Sequence, residues 1–396
     1  MAMKWRTEPS WKALTAVEWL ARRELSEDPL SVGRWTSLIG AQKRLGQVAD
    51  VEITLDQASS TFGADPQGRK DFLTILLNQG EGDRAVRAAE ALVDACPDDA
   101  EAPGLLARAI ASSDRWGEAE ARAFAKIATT TRAVVSLNQA WRRAETDDDL
   151  HAFVARCRAE LLEDPIHTDA RCFLAHALAR LGEDEEARKV MALDDLVSVG
   201  ELPPPAGFPS VEAFRAALAA EIRQNPTLAP DPKNKATRDG LQTAALGLPD
   251  EPAVAVLIGQ IKAAVEAYVD DRKETADPFI ASAPEAVRMV QWAVIYGAGG
   301  HQTSHRHPSG WLSGVYYVSA PRGVGTEDEY LGSLLVGAPQ ARAPTPPPWG
   351  IREVAPVPGR LVLFPSFVTH GTEACGAEGE RISIAFDITP VARAPS

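Results

Sequence analysis

The sequence predicts a multidomain α + β protein in which an N-terminal stack of helical hairpins precedes a C-terminal antiparallel β-barrel or sandwich. Turn-like residues recur at a fixed interval through the first half, whereas short β-branched and aromatic runs dominate the C-terminal part. The length of 396 residues exceeds one ordinary core, since domains commonly hold roughly 100–200 residues. We expect a helical domain over 1–197, a linker and helical segment over 198–252 and a β domain over 253–396.

The composition excludes several classes of protein. With 45% hydrophobic and 24% charged residues it is typical of a globular protein, and we expect no apolar run near the ~18 residues that a membrane helix needs. No apolar signal region follows Met1, so we expect a cytoplasmic protein without a membrane partner. The net charge of −14 argues against a nucleic-acid partner, because phosphate binding depends on clustered Lys and Arg.

The helical half contains an internal repeat. Candidate hairpin turns lie 34 residues apart, and small residues expected at helix crossings follow at Ala85, Ala119 and Ala187. Prolines that can follow helix ends keep the same frame at Pro29, Pro97 and Pro165. Thirty-four residues is the period of a tetratricopeptide helix pair, which residues 20–195 resemble. The turn positions are Gly46, Gly80, Asp114, Asp148 and Gly182.

Two uses of such a stack are open. Stacked helix pairs leave a concave surface that commonly holds a peptide or a protein. The stack can instead brace the C-terminal domain or form a homodimer.

The middle of the chain contains breakers and two helices. Prolines and glycines between 203 and 209 mark a linker. Amphipathic patterns predict helices over 211–223 and 253–271, and we expect the second to cover the outside of a sheet. Five strands are then predicted, over 291–296, 314–318, 332–336, 359–364 and 381–386.

Three histidines form a candidate metal site. In a strand, His305 and His307 point to the same side, and His370 can complete the set from another strand. Non-haem iron oxygenases use two histidines and one carboxylate on one face of the metal. Here the acidic position is His307, and three neutral ligands favour an anionic chelating cosubstrate because the site keeps one more positive charge.

A candidate anion-binding motif, Arg381-Ile382-Ser383, begins eleven residues after His370. An adjacent antiparallel strand is expected to return Arg381 beside the metal. Its guanidinium fork can pair with a carboxylate, and the Ser383 hydroxyl can add a hydrogen bond.

Together, these motifs resemble the 2-oxoglutarate/Fe(II) oxygenase family of bacteria and phages. The resemblance rests on the segment 301–318, on Leu-Phe-Pro-Ser at 363–366, on His370 and on Arg-Ile-Ser-Ile-Ala-Phe at 381–386, and it covers roughly 285–390. It implies a double-stranded β-helix, of jelly-roll or cupin-like form, shared with the prolyl hydroxylases. It also implies Fe(II) held by His305, His307 and His370.

The same resemblance implies the chemistry. Arg381, Ser383 and Tyr317 hold the far carboxylate of 2-oxoglutarate, with Tyr317 preferred to Tyr316. Decarboxylation of 2-oxoglutarate to succinate drives hydroxylation of a C–H bond, and we expect the helical repeats to recruit a peptide or protein substrate.

Two other functions remain open. One is a three-histidine, cupin-like dioxygenase that binds its substrate directly and needs no 2-oxoglutarate, against which the Arg381 clamp argues. The other is a non-catalytic tetratricopeptide interaction protein, against which the complete set of histidines argues. We favour an indirect role, behind the ligands or in the pocket, for His301, and a structural or supporting role for Asp387.

Overall fold

The computed structural model describes residues 3–6, 11–99, 101–111, 137–230, 236–244, 246–247, 251–275, 277–320, 331–339, 345–376 and 379–391. The chain divides into two compact units. One comprises residues 9–136, and the other comprises residues 1–8 with 137–396.

The unit of residues 9–136 is helical where it is described. Gly46 and Gly80 lie in the turns between consecutive helices with φ of 71° and 68°, a left-handed conformation that glycine adopts without strain. Ala85 is fully buried in the core of this unit. Asp114 and Ala119 of the predicted repeat lie outside the described residues. The helices are α1 (Trp11–Glu27), α2 (Val32–Arg44), α3 (Val48–Phe62), α4 (Pro66–Asn78), α5 (Gly82–Ala95) and α6 (Ala102–Ala111).

A second set of helices belongs to the other unit. Gly182 has φ of 76° in a turn between two of them, and Asp148 lies in the first turn of a helix that Thr146 and Asp149 begin with a reciprocal capping box. Ala187 is fully buried. These helices are α7 (Leu137–Arg143), α8 (Asp147–Glu163), α9 (Thr168–Arg180), α10 (Asp184–Met191) and α11 (Leu193–Leu196).

The turns at Gly46, Gly80 and Gly182 therefore lie at predicted positions, whereas Asp148 lies inside a helix. The assignment of the hairpins to the tetratricopeptide class stays a prediction. The boundary expected near 197 does not coincide with the boundary between the compact units. Cys172, Met191 and Leu196 pack in the same core as the strands, so α9, α10 and α11 contribute to the core of the β-sheet. Most of the other buried hydrophobic residues of 137–187 form a hydrophobic cluster of their own.

Two antiparallel sheets form the C-terminal part. The larger has the order β2-β9-β6-β11-β5-β4-β3, with β1 parallel to β5, and the smaller has the order β10-β7-β8. All five predicted strands are present. The strands are β1 (Lys4–Trp5), β2 (Ser198–Glu201), β3 (Leu228–Pro230), β4 (Thr237–Thr243), β5 (Ala286–Gln302), β6 (Leu312–Ser319), β7 (Leu334–Val336), β8 (Arg352–Val354), β9 (Arg360–Pro365), β10 (His370–Thr372) and β11 (Arg381–Pro390).

The segment 198–252 is more than a linker. It supplies β2 at one edge of the large sheet and β3 and β4 at the other, which its breaker-rich sequence did not indicate. Both predicted helices are present, as α12 (Val211–Gln224) and α13 (Pro252–Arg272), and a short α14 (Pro278–Ala281) follows.

We expected no apolar run near the length of a membrane helix, and α13 corrects this expectation. Its length and mean hydropathy are sufficient to cross a membrane. Leu257, Ile261 and Val265 are fully buried, and they pack in one core with residues of the sheet. Burial of each such side chain contributes about 1.5–3 kcal/mol. The periodic apolar face of α13 is therefore a core face, as its sequence predicted.

Candidate active site

The segment between β5 and β6 carries His305 and His307. It is not a regular strand: His305 forms an isolated antiparallel bridge with His370. The two residues exchange backbone hydrogen bonds of 2.9 and 2.8 Å, from His305 N to His370 O and from His370 N to His305 O. The i, i+2 spacing thus brings both imidazoles to the same side, but through a bridge and not through a strand as predicted.

Each of the three imidazoles is oriented through its Nδ1 atom. Nδ1 of His305 lies 2.8 Å from the carbonyl oxygen of Thr303, and Nδ1 of His370 lies 3.0 Å from that of Val368. Nδ1 of His307 lies 2.5 Å from Oδ1 of Asp387. Because all three Nδ1 partners are acceptors, the proton is assigned to Nδ1 and the lone pair to Nε2.

The three histidines converge into a group that can hold a metal ion. Their candidate ligand atoms lie within 4.8 Å of one another. Burial and the neighbouring His307 lower the pKa of His305 to about 3. Burial, with His305 and His307 nearby, holds the pKa of His370 well below its usual range. Neutral imidazoles with free lone pairs are the form that binds divalent transition metals.

Asp387 lies behind His307 and not within the ligand group. Its Oδ1 also accepts a hydrogen bond of 2.7 Å from the Ser313 hydroxyl, which is 2.7 Å from Oγ of Ser366. A carboxylate that accepts from the outer nitrogen of a ligating histidine fixes the ring and raises its basicity. The supporting role predicted for Asp387 is the one its contacts allow.

Arg381 lies on β11 with only 2% of its surface exposed. Nη1 donates to the carbonyl oxygen of Gly332, and Nη2 donates to the Thr372 hydroxyl at 3.4 Å. The buried Nε has no hydrogen-bond partner, and no carboxylate of the described residues forms an ion pair with the guanidinium. A buried cation with an open donor is costly unless an anion completes it, so this chemistry fits a carboxylate ligand.

Ser383 and Tyr317 are opposite each other in the register of β11 and β6. Both side chains line the same pocket as Arg381, whereas Tyr316 does not. Burial raises the pKa of Tyr317 to about 12, so its hydroxyl keeps its proton. The choice of Tyr317 over Tyr316 agrees with the alternation of faces along β6.

One pocket joins the histidines to the arginine. It lies between the two sheets, because residues of both line it. All six residues named from sequence line it, namely His305, His307, His370, Arg381, Ser383 and Tyr317.

Other lining residues escaped the sequence analysis. Trp292, Tyr296, Gln302 and Thr372 line the pocket. Thr372 is two residues after His370, and Trp292 and Tyr296 share one parity on β5, so the alternation of strand faces was the signal that could have found them.

Two geometric expectations were wrong. Arg381 does not return on a strand adjacent to that of His370, because β11 pairs with β5 and β6 in the large sheet while β10 pairs with β7 in the small one. The two residues instead face each other across the sandwich. His301 is neither in the metal-ligand group nor among the pocket-lining residues, and its Nδ1 lies 3.0 Å from the carbonyl oxygen of Gly299.

One family model matches the part of the chain that carries this site. Residues 290–387 match the model of the family described as "Putative 2OG-Fe(II) oxygenase". No curated protein matches the chain.

Among solved structures, a prolyl-4-hydroxylase from Pseudomonas putida is 19% identical, with a TM-score of 0.33, and the match covers 52% of this chain and 100% of that one. A prolyl hydroxylase from Trichoplax adhaerens, in complex with a fragment of hypoxia inducible factor, is 14% identical, with a TM-score of 0.34 and coverage of 53% and 92%. HygX from Streptomyces hygroscopicus, with nickel and 2-oxoglutarate bound, is 13% identical, with a TM-score of 0.32 and coverage of 51% and 86%. At these identities and TM-scores the likeness says nothing about the substrate.

The three-histidine group suits iron, since imidazole is a common ligand of that metal. The open donor of Arg381 suits an anionic cosubstrate. Residues 290–387 therefore match the 2OG-Fe(II) oxygenase family, and the residues of the site fit Fe(II) and 2-oxoglutarate as cofactors.

Proposed function

We propose that the protein is a 2-oxoglutarate- and Fe(II)-dependent dioxygenase that hydroxylates a C–H bond of a peptide or protein. The observation that carries this proposal is one pocket with a metal-ligating group at one end and a buried guanidinium with an open donor at the other. A direct-binding dioxygenase has no use for such a cation.

His305, His307 and His370 would hold the metal through Nε2. Their Nδ1 contacts fix the rings before any metal arrives, so little reorganisation accompanies binding. Asp387 places a negative charge behind His307 and offsets part of the charge that a third neutral ligand leaves uncompensated.

Arg381 would pair with the far carboxylate of 2-oxoglutarate, with Tyr317, Ser383 and Thr372 as neighbouring hydroxyl groups. When bound together, Fe(II) and 2-oxoglutarate would reduce O2, with one oxygen atom entering the C–H bond of the substrate and the other entering succinate as CO2 is released. The protein's own contribution is to orient the cosubstrate between two fixed ends and to limit water in a pocket enclosed by two sheets.

The helical half supports a peptide or protein as substrate. A groove lies on α3, α4 and α5 and is lined by apolar Phe72 and Leu76. Its charged lining residues are Arg69, Arg84 and Arg87 against Asp56, and Arg84 is paired with Glu52. The remaining excess of one positive charge favours an acidic segment of another protein. Cellular proteins incubated with the loaded enzyme should gain 16 Da at defined sites, and stimulation of turnover by small molecules alone would reject this part of the proposal.

The first experiment tests the cosubstrate. Anaerobic Fe(II) protein is titrated with 2-oxoglutarate while the visible metal-to-ligand charge-transfer band is recorded. We expect a band in the wild type, and roughly 100-fold weaker 2-oxoglutarate binding in Arg381→Ala with unchanged iron content, because charge-assisted hydrogen bonds contribute about 1.5–3 kcal/mol each.

The matched control is Arg288→Ala, which removes an exposed arginine from β5 and should change neither value. Iron binding without any band would favour the direct-binding dioxygenase.

A further inference from the structure

Arg306 stands between two metal-ligating histidines and extends away from them, toward the helices. Its Nε lies 2.8 Å from Oδ1 of Asp169 at the start of α9. The side chains of Arg306 and Asp169 are only 9% and 22% exposed. This ion pair is therefore largely shielded from water. Removal of one partner would leave the other charge buried without compensation.

Further contacts join the same segment to the helices. Nη2 of Arg306 donates to Oδ1 of Asn138 on α7 at 3.3 Å, and the guanidinium lies 4.5 Å from the ring centre of Phe173 on α9. Four residues later, the carbonyl oxygen of Gly310 accepts a buried hydrogen bond of 2.9 Å from the Thr168 hydroxyl. The segment that carries His305 and His307 therefore contacts α7 and α9 through Arg306, and α9 also through Gly310.

These contacts matter because this segment has little regular structure of its own. Near the two histidines, its backbone is joined to other segments by the bridge between His305 and His370 and by a hydrogen bond of 3.2 Å from His307 N to Ser366 O. The contacts of Arg306 restrict rotation of the backbone at this residue. Because the imidazoles of His305 and His307 extend from the other side of the same backbone, their positions are restricted as well.

We propose that Arg306 is a positioning residue for the metal centre, and that α7 and α9 form one wall of that centre. This inference rests on the proposed function, since it takes His305 and His307 as ligands. It assigns the helices of 137–180 a role in metal affinity, in addition to any role in binding a partner.

The chain offers a matched control in a second ion pair of α9. Nη2 of Arg171 lies 3.2 Å from Oδ1 of Asp277, the side chains are 10% and 16% exposed, and the guanidinium lies 4.7 Å from the ring centre of Phe367. Both pairs join α9 to the rest of the unit, but only the first includes the residue between two ligands.

The experiment compares Asp169→Asn with Asp277→Asn in the full-length protein, using Co(II) as the probe. We expect Asp169→Asn to weaken Co(II) binding by about 10-fold, the lower end of what outer contacts of a metal ligand contribute, and to alter the visible Co(II) spectrum. Both variants should lower the melting temperature of the apo-protein by similar amounts. Asp277→Asn should change neither the Co(II) affinity nor the Co(II) spectrum. Asp169→Glu should restore part of the affinity.

Equal effects on Co(II) binding in both variants, or none in Asp169→Asn, would overturn the positioning role. If Asp169→Asn does not fold, Asn138→Ala removes one hydrogen bond of the same cluster and should weaken Co(II) binding by about 3-fold; unchanged binding would then reject the proposal. Failure of the wild type to bind Co(II) would instead reject the ligand assignment, so the two failures are distinguishable.

Discussion

The two ends of the pocket differ in how far this chain completes them. At the metal end, each of His305, His307 and His370 already has an acceptor at Nδ1, and the pKa values of His305 and His370 are lowered. At the other end, Arg381 retains a buried Nε without a partner and a charge without a described counter-ion. The metal end is organised before binding, whereas the arginine end is completed by its ligand.

This difference predicts that substitutions at the two ends separate metal binding from cosubstrate binding. Arg381→Ala, with its effect on 2-oxoglutarate alone, is the test at the arginine end.

The largest effect is expected for His370→Ala. It removes one of three ligands and leaves two, so metal content should fall from one ion per chain to near zero under conditions that saturate the wild type. Metal analysis after desalting measures this directly. His301→Ala is the control, because His301 lies outside the pocket, and it should retain full metal content. Stoichiometric metal in His370→Ala would show that the ligand set is wrong.

A smaller effect is expected for Asp387→Asn, because the substitution keeps the shape but removes the charge behind His307. Metal affinity should fall about 10-fold, whereas the 2-oxoglutarate concentration required for the band should not rise. Competition with a chelator measures the affinity. Ser313→Ala provides the companion variant, since it removes the 2.7 Å hydrogen bond to Asp387 and keeps the charge. If Ser313→Ala lowered metal affinity as much as Asp387→Asn, the effect would come from the position of the Asp387 carboxylate and not from its charge.

The sequence predicted which residues meet in one pocket better than it predicted the scaffold around that pocket. The spacing of His305, His307 and His370 and the alternation that selects Tyr317 are local properties, and local patterns can be read directly. Contacts between distant residues determine the pairing of β11 with β5 and β6, the strands within 198–252 and the core that α9, α10 and α11 share with the sheet. Arg306 illustrates the limit: its position between two ligands was visible, but Asp169 lies 137 positions earlier.

The smallest effect is expected for Tyr317→Phe, which sharpens the comparison at the arginine end. The substitution removes one hydroxyl from a pocket wall and leaves the ring, and one neutral hydrogen bond contributes about 1 kcal/mol, or roughly 5-fold in affinity. The 2-oxoglutarate titration should therefore shift several-fold, far less than in Arg381→Ala, and metal content should not change.

Tyr316→Phe is the matched control, because this neighbouring buried tyrosine lies outside the pocket lining. If Tyr316→Phe shifted the titration and Tyr317→Phe did not, the face of β6 that meets the cosubstrate would be the opposite one. If Tyr317→Phe lost metal as well, the two ends would be coupled, and the separation between a completed metal end and an open arginine end would fail.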